Sequence, residues 1–479
     1  MIDDALRALG VRVLACAPCS IEMPAGAGKT HLLAAAAALI VERGERVLIL
    51  THTNAGVDVL RRRLRTFEVP SAGYHVETIT GWAFSMVRAY PSIAGMVVPE
   101  TPDWTDSQSY IEGATRVVKS NAMMMVNTAS FAYVFVDEYQ DCNESHHDFV
   151  LALEASVPQV VVVGDRLQGI FGFSQPIVDW DSQVAAHFTP LVLEHFPHRW
   201  HGHNEELGQW LLELRTGLVD GGTFDLADHS IPGLMWSQKS TDSLYDAAYS
   251  YDNFDDTVLI VDKWPKGASM HASMLGGGYL VIEDVAGRFM REQLSELPQE
   301  GDPRLAVWLT KFIKACSIGL AALDTTVLSR LARNESIVRY SRPGLEGVLS
   351  ALDRLRQDPR YAVLAEVASE IHAVDGIRVY RREAWYDTLE AIELARRDGR
   401  PVLEHFGRVR DRLRQSGRRK HTRISSTTLL VKGLEYDHVI IPNLSNLVDP
   451  RHLYVALSRA RKSIIVMGGN ARIELVQGA

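Results

Sequence analysis

Pro24-Ala25-Gly26-Ala27-Gly28-Lys29-Thr30 follows the apolar run Ser20–Met23 and precedes a long Leu/Ala-rich segment. A glycine loop between a strand and a helix lets backbone N–H groups close around phosphates. Lys29 then reaches the β- and γ-phosphates, and the Thr30 hydroxyl ligates Mg²⁺. Met23 stands where the strict pattern has glycine, but the Gly-x-Gly-Lys-Thr core is intact. Asp137 and Glu138 follow the apolar run Tyr133–Val136. Two carboxylates at a buried strand end suit a metal and an attacking water: Asp137 holds Mg²⁺, directly or through water, and Glu138 polarises the water. A solvated strand-to-loop turn would look the same, and the upstream loop decides for chemistry. Phosphoryl transfer also needs positive charge on the γ-phosphate. Arg459, after the expected helix Leu453–Ser458, and Arg199, in Pro-His-Arg-Trp, are candidates, although either could be a surface arginine.

These groups need strands to carry them. In the first half, apolar runs at Ser20–Met23, Arg46–Leu50, Val76–Thr80, Tyr133–Val136 and Val160–Val163 alternate with amphipathic stretches. That is the pattern of a parallel sheet flanked by helices, with ligands at the carboxyl ends of the strands. Later runs at Thr257–Asp262, Tyr279–Ile282, Thr427–Val431, His438–Pro442 and Ile464–Met467 predict a second sheet. Helical periodicity rich in Leu, Ala, Arg and Glu, as in Tyr386–Arg397, fills the gap between them. The expected fold is α/β with two parallel-sheet domains. The first covers residues 1–195 with a small insertion at 89–127; the second covers 196–282 and 424–479; a helical insertion covers 283–423.

The 479 residues are 46% hydrophobic and 23% charged, an ordinary globular composition. The longest apolar run, Leu32–Val41, is too short to span a bilayer, and the N-terminus carries no basic stretch before an apolar core. A cytoplasmic protein with no membrane partner is expected. A net charge of −9 argues against a basic coat but not against a local groove for nucleic acid. Cys16-Ala-Pro-Cys19 lacks the second ligand pair of a zinc site and reads as two small residues beside a strand. His195, His198, His201 and His203 crowd around Arg199, where zinc is conceivable but a junction loop is the plainer reading. Arg408–Arg423 is the strongest basic run, equally suited to phosphates or to a charged helix end.

Taken together, the motifs resemble those of superfamily-one helicases of the UvrD/Rep/PcrA type. Ala25–Thr30 resembles motif I, Leu50–Ala55 motif Ia, and Thr78–Ala83 motif Ib. Val136–Asp141 resembles motif II, Val163–Phe173 motif III, and Leu193-Glu194 with Arg199 motif IV. Val431–Tyr436 resembles motif V and Leu453–Ala460 motif VI. The resemblance implies two RecA-like motor domains using ATP and Mg²⁺, and 3′-to-5′ movement on single-stranded or tailed double-stranded DNA. It implies that Gln168 senses the γ-phosphate, that Glu435 lies near the ribose, and that Arg199 and Arg459 act as arginine fingers brought across from the second domain. Phe171 and Phe173 would stack on bases, with Thr53, Asn54, Thr78 and Trp82 lining the same strand.

This sequence departs from the family at several places. Arg166 and Leu167 replace acidic residues, Ser174-Gln175-Pro176 replaces Arg-Gly-Ala, and Leu429 and Val431 take the His and Ser positions before Lys432. These changes touch the strand contacts more than the phosphate chemistry. They leave room for a different role, a DNA-stimulated ATPase that senses ends and activates a partner nuclease, as in compact UvrD-like antiphage proteins of the Gabija type. The tail after Met467 reads as too short for a nuclease domain, so any cutting would fall to that partner.

Overall fold

The computed structural model describes residues 2–99, 103–171, 176–226, 231–251, 253–284, 286–339, 344–416 and 421–476. The chain forms two compact units: Met1–Thr223 with Val448–Lys462 and Glu474–Ala479, and Phe224–Leu447 with Ser463–Ile473. Each contains a six-stranded parallel sheet, giving an α/β fold with two RecA-like domains.

In the first unit, strands β1 (Cys19–Glu22), β2 (Val47–Thr51), β3 (Tyr74–Thr78), β4 (Tyr133–Val136), β5 (Gln159–Gly164) and β6 (Thr189–Pro190) lie in the order β3-β2-β4-β5-β1-β6. β2 and β4 are buried along their whole length, as expected for a parallel sheet covered on both faces. Alternate residues feed two cores. Leu48, Leu50, Val134, Val136, Val160 and Val162 pack on one side; Val47, Ile49, Phe135, Val161 and Val163 pack on the other. The helix Lys29–Glu42 has every residue from Leu32 to Ile40 buried, because the sheet covers one side and the helix Asp4–Cys16 the other. Gly10 permits that approach: a Cβ there would sit 2.9 Å from Leu39 Cδ1.

β3 ends at Thr78, short of the expected Thr80, because the Thr78 hydroxyl accepts from the Gly81 amide 3.0 Å away and starts the helix Ile79–Ala89. Helices Ser107–Val118 and Asn121–Ser130, in the expected small insertion, contribute Ile111, Ala114, Val117 and Met123 to the core that holds Trp82 and Phe149. The first unit also runs past residue 195, the expected boundary. Trp200 is 1% exposed, and its indole N–H donates to the Ala460 carbonyl at 2.7 Å. Asn204 donates to the Lys462 carbonyl at 2.8 Å.

The second sheet contains β7 (Leu234–Gln238), β8 (Val258–Asp262), β9 (Leu280–Val281), β10 (Arg423–Thr427), β11 (Tyr436–Ile441) and β12 (Ala460–Gly468), in the order β9-β10-β8-β11-β12-β7. The expected strand Thr427–Val431 is corrected. The strand is Arg423–Thr427, and Thr428–Val431 is a helical turn after it. The apolar letters Leu-Leu-Val misled, and so did the serines. Ser425 and Ser426 are fully buried, and the Ser425 hydroxyl donates to the Ala268 carbonyl at 2.7 Å, so small polar residues occupy the strand interior. β7 carries only the three-residue apolar run Leu234–Trp236, and no strand is expected there.

Helices between Arg288 and Ser416 build a separate core in this unit. At its centre Phe312 is sandwiched between Trp308 and Trp385, with ring centroids 5.1 and 5.8 Å away. A buried pair, Arg381 to Glu283 at 2.7 and 3.0 Å, ties the helices to the chain leaving β9. Because Phe312 is fully enclosed, F312A is expected to cost about 3–5 kcal/mol. A urea titration followed by tryptophan fluorescence checks this; an unmoved midpoint would mean that the ring does not hold the helices together.

Candidate active site

The strand order brings the chemistry together. β5 lies between β1 and β4, so the residues that follow these three strands meet at one edge of the sheet. β1 leads into the phosphate loop, where Gly26 and Gly28 have φ of 73° and 91°, the left-handed region that favours glycine. At Gly26 the need is also steric, since a Cβ would lie 2.7 Å from the Trp200 ring and 2.8 Å from Arg199 Cβ. No side chain caps the helix Lys29–Glu42, so its first-turn amides face the loop as an anion site. Lys29 Nζ donates to the Met23 carbonyl at 2.9 Å and the Pro24 carbonyl at 3.4 Å, which folds the ammonium over the loop. The loop, Lys29 and half-buried Thr30 therefore fit a nucleotide's phosphates and the Mg²⁺ bound to them.

Asp137 follows β4 and is buried. Its Oδ1 accepts from the Glu138 amide at 2.9 Å, and Glu138 sits at φ 58°, a conformation that costs a non-glycine residue energy and re-aims its side chain. Gln140, also buried, donates to the Glu138 carboxylate and accepts from the Asp165 amide at 2.9 Å. It thereby ties the end of β4 to the end of β5. A Cβ on Gly164 would come within 2.6 Å of Gln140 Oε1, so glycine leaves the room in which this bridge forms.

Asp165 is fully buried and accepts from Leu167 N at 3.2 Å, Gln168 Nε2 at 2.8 Å and Arg215 Nη1 at 2.6 Å. Burial alone would raise its pKa, but Arg215, Lys29 and Gln168 together hold it below the usual carboxylate range. Arg215 also donates to Glu22 at 2.9 Å, and its guanidinium lies 5.1 Å from the Tyr454 ring centroid. Burial pushes the Tyr454 phenol up to about 12, so it stays neutral; its oxygen accepts from the Ala25 amide of the phosphate loop at 3.1 Å.

Gln168 joins two groups. Its amide nitrogen donates to Asp165, and its carbonyl oxygen accepts from Arg459 Nη2 at 3.3 Å. Arg459 is fully buried, anchored to Val455 O at 2.9 Å and Ser458 Oγ at 2.8 Å. Arg199 donates to the Ser458 carbonyl, and its amide donates to the Gly26 carbonyl at 3.2 Å. Both arginines therefore pack in the first unit beside the loop; the expectation that they lie on the second domain is corrected. Glu435 lies in the second unit, on the turn before β11.

The expected strand-binding residues fare unevenly. Thr53 and Asn54 are exposed at the start of the helix Asn54–Thr66, and Thr53 caps it by accepting from Gly56 N at 3.0 Å. Thr78 caps the next helix in the same way. Trp82 is corrected: it is 4% exposed and packs on Phe149 with centroids 5.7 Å apart, because it lies on the core face of its helix. Phe171 is half-buried, and Phe173 lies outside the described residues. Of the basic run, Arg408, Arg410 and Arg412 pair with Glu404, Asp387 and Glu390 at 2.8, 2.5 and 2.7 Å, which is the charged-helix reading. The histidine cluster gathers no metal site: among the described residues no three His, Cys, Asp or Glu side chains converge on one, and His201 pairs with Glu205 at 2.8 Å. Cys19 is buried in β1 and its thiol is pushed up to about 12, chiefly by burial, which leaves it inert.

Gln140, Arg215 and Tyr454 had no role in the sequence expectations. Gln140 had a signal, since it lies within Val136–Asp141, the run that resembles motif II. Arg215 had none, being one charge in an amphipathic helix.

Two family profiles match the chain: an AAA domain over residues 9–174 and a viral superfamily 1 RNA helicase core domain over residues 398–468. Over these two stretches the chain is similar to a P-loop domain and to a superfamily 1 helicase core. Such domains imply an enzyme that hydrolyses a nucleoside triphosphate and takes a nucleic-acid substrate. No curated protein matches the sequence. No helix among the described residues is long and apolar enough to cross a membrane.

Two outcomes follow from this geometry. Q140A should lower kcat for hydrolysis roughly 10–100-fold, the usual scale for a supporting hydrogen bond, with KM nearly unchanged; an equal rise in KM would mean that Gln140 shapes binding instead. Asp165 titrates lower in the folded chain than in the unfolded one. Its contribution to stability is therefore complete above the ordinary Asp pKa of about 4 and is lost as pH falls through the lowered folded value. R215L should cost about 3–5 kcal/mol near neutrality by leaving a buried carboxylate unpaired. Urea midpoints of wild type and R215L should converge as the solution is acidified; a constant gap would sink this assignment.

Proposed function

We propose that the protein is an ATP-dependent motor that moves 3′ to 5′ along single-stranded DNA and separates tailed duplexes. The observation that carries this reading is the Gln168 bridge. One side chain links Asp165, and through Gln140 the Glu138 carboxylate, to Arg459. A γ-phosphate at the loop would be read by all of them.

In the proposed reaction Glu138 accepts a proton from water as the water oxygen forms a bond to the γ-phosphorus. The bond to the β–γ bridging oxygen breaks, and ADP and phosphate leave. Lys29, Arg199 and Arg459 balance the charge that develops. Thr30 and Asp137 would hold Mg²⁺, which supplies further charge neutralisation. Thr53, Asn54, Thr78, Phe171 and Phe173 would meet the strand, and Glu435 the ribose. The UvrD-like resemblance supports DNA and the direction of travel.

A second reading has one observation in its favour. Arg166 departs from the family pattern and is engaged by Glu22 and Asp181, each at 2.9 Å, rather than held out toward a strand. A DNA-stimulated ATPase that activates a partner nuclease would need less of that grip.

The test is ATP hydrolysis with and without single-stranded DNA, beside K29A and E138Q, followed by strand displacement on 3′- and 5′-tailed duplexes. Stimulation by DNA is expected, with turnover lost in K29A and reduced about 10²–10⁴-fold in E138Q. Displacement should occur on the 3′-tailed duplex only. DNA-stimulated hydrolysis without displacement would move the conclusion to the second reading. Stimulation by RNA alone would overturn the DNA assignment.

A further inference from the structure

β8 ends at Asp262, and the chain continues as Lys263-Trp264-Pro265-Lys266 into the helix Pro265–Met274. Trp264 is the most exposed of the nine tryptophans, at 56%, whereas Trp82, Trp180, Trp200, Trp308 and Trp385 are buried. An indole is costly to leave in water, and one held out at the carboxyl end of a parallel strand stands where such sheets bind ligands. Beside it is an open recess of about 470 Å³, lined by Asp262, Trp264, Pro265, Lys266, Met270 and Asn446.

Charge identifies the occupant. Lys263 Nζ lies 5.1 Å from the Trp264 ring centroid, and Lys266 is exposed one turn along. The one carboxylate in the lining is turned inward. Asp262 is 3% exposed and accepts from Trp264 N at 2.9 Å, from Asn446 Nδ2 at 3.2 Å and from His271 at 3.2 Å. These contacts also fix the backbone that carries the indole. A flat aromatic face among cations, with its carboxylate committed elsewhere, suits a base joined to phosphates.

We propose that Trp264 is a base-stacking residue for single-stranded DNA, with Lys263 and Lys266 taking the flanking phosphates. The second unit then carries a strand contact of its own, in addition to the contacts proposed for Phe171 and Phe173. The proposal rests on the reading of the protein as a motor on single-stranded DNA.

The experiment is fluorescence anisotropy of a labelled oligothymidine, and of an abasic strand of the same length, with full-length wild type, W264A, W264F and K266Q. Hydrolysis of ATP without DNA is measured alongside. W264A should bind oligothymidine about tenfold more weakly, the scale of one stacked base, and W264F should restore most of the loss. On the abasic strand W264A and wild type should be equal. K266Q should reduce the slope of log affinity against log salt by about one phosphate's share. DNA-independent hydrolysis should not change in any variant. If wild type binds oligothymidine and W264A binds it equally, or if W264A loses as much on the abasic strand, the stacking site is overturned and the motor reading stands. If wild type binds no single strand at all, both fall.

Discussion

An ionised carboxylate cannot sit inside a protein without partners, and Asp165 is wholly enclosed. Its partners reach into most of the candidate site. Arg215 supplies the opposing charge and also grips Glu22 at the end of β1. Gln168 is held by Asp165 and in turn holds Arg459. Gln140 is fixed by the Asp165 amide and in turn holds Glu138. Satisfying one buried charge thus sets the positions of Glu138, Gln168 and Arg459. A network of this kind is rigid only when every member is present, because each unsatisfied group costs more in the interior than its bond would earn at the surface.

Lys29 shows the same logic at the loop. Its ammonium is satisfied by two neutral carbonyls, those of Met23 and Pro24. A phosphate oxygen adds an opposing charge to a bond in which the donor alone is charged, so exchange favours the phosphate. The carbonyls keep the side chain from wandering, and the lysine needs little ordering when it binds.

Much of this was legible in the sequence because it depends on short-range chemistry. The phosphate loop, the Asp137-Glu138 pair and the five strands of the first sheet that carry them follow from glycine spacing and apolar runs. What escaped was decided by packing. Trp82 has the letter of a stacking residue, but its position on the helix turns it into the core. Arg423–Thr427 is a strand despite its serines, and a helix backbone approaches closely enough to accept the Ser425 hydroxyl. Arg199 and Arg459 were recognised by type, while the hydrogen bond that brings Arg199 to Ser458, the neighbour of Arg459, is a tertiary fact with no local signature. Arg215 and Tyr454 belong to the same class.

Gly164 shows why such a site tolerates little change even where no reacting atom is touched. It is the last residue of β5, and it faces the Gln140 carbonyl oxygen on one side and the Trp180 ring on the other. A methyl group would stand 2.6 Å from the first and 2.7 Å from the second. Trp180 is locked in the core, so the side chain able to give way is Gln140. If it moves, Glu138 loses its hydrogen bond and the Asp165 amide loses its acceptor together. The residue with no side chain thus governs how Gln140 holds Glu138 and the Asp165 amide, through the space it leaves it.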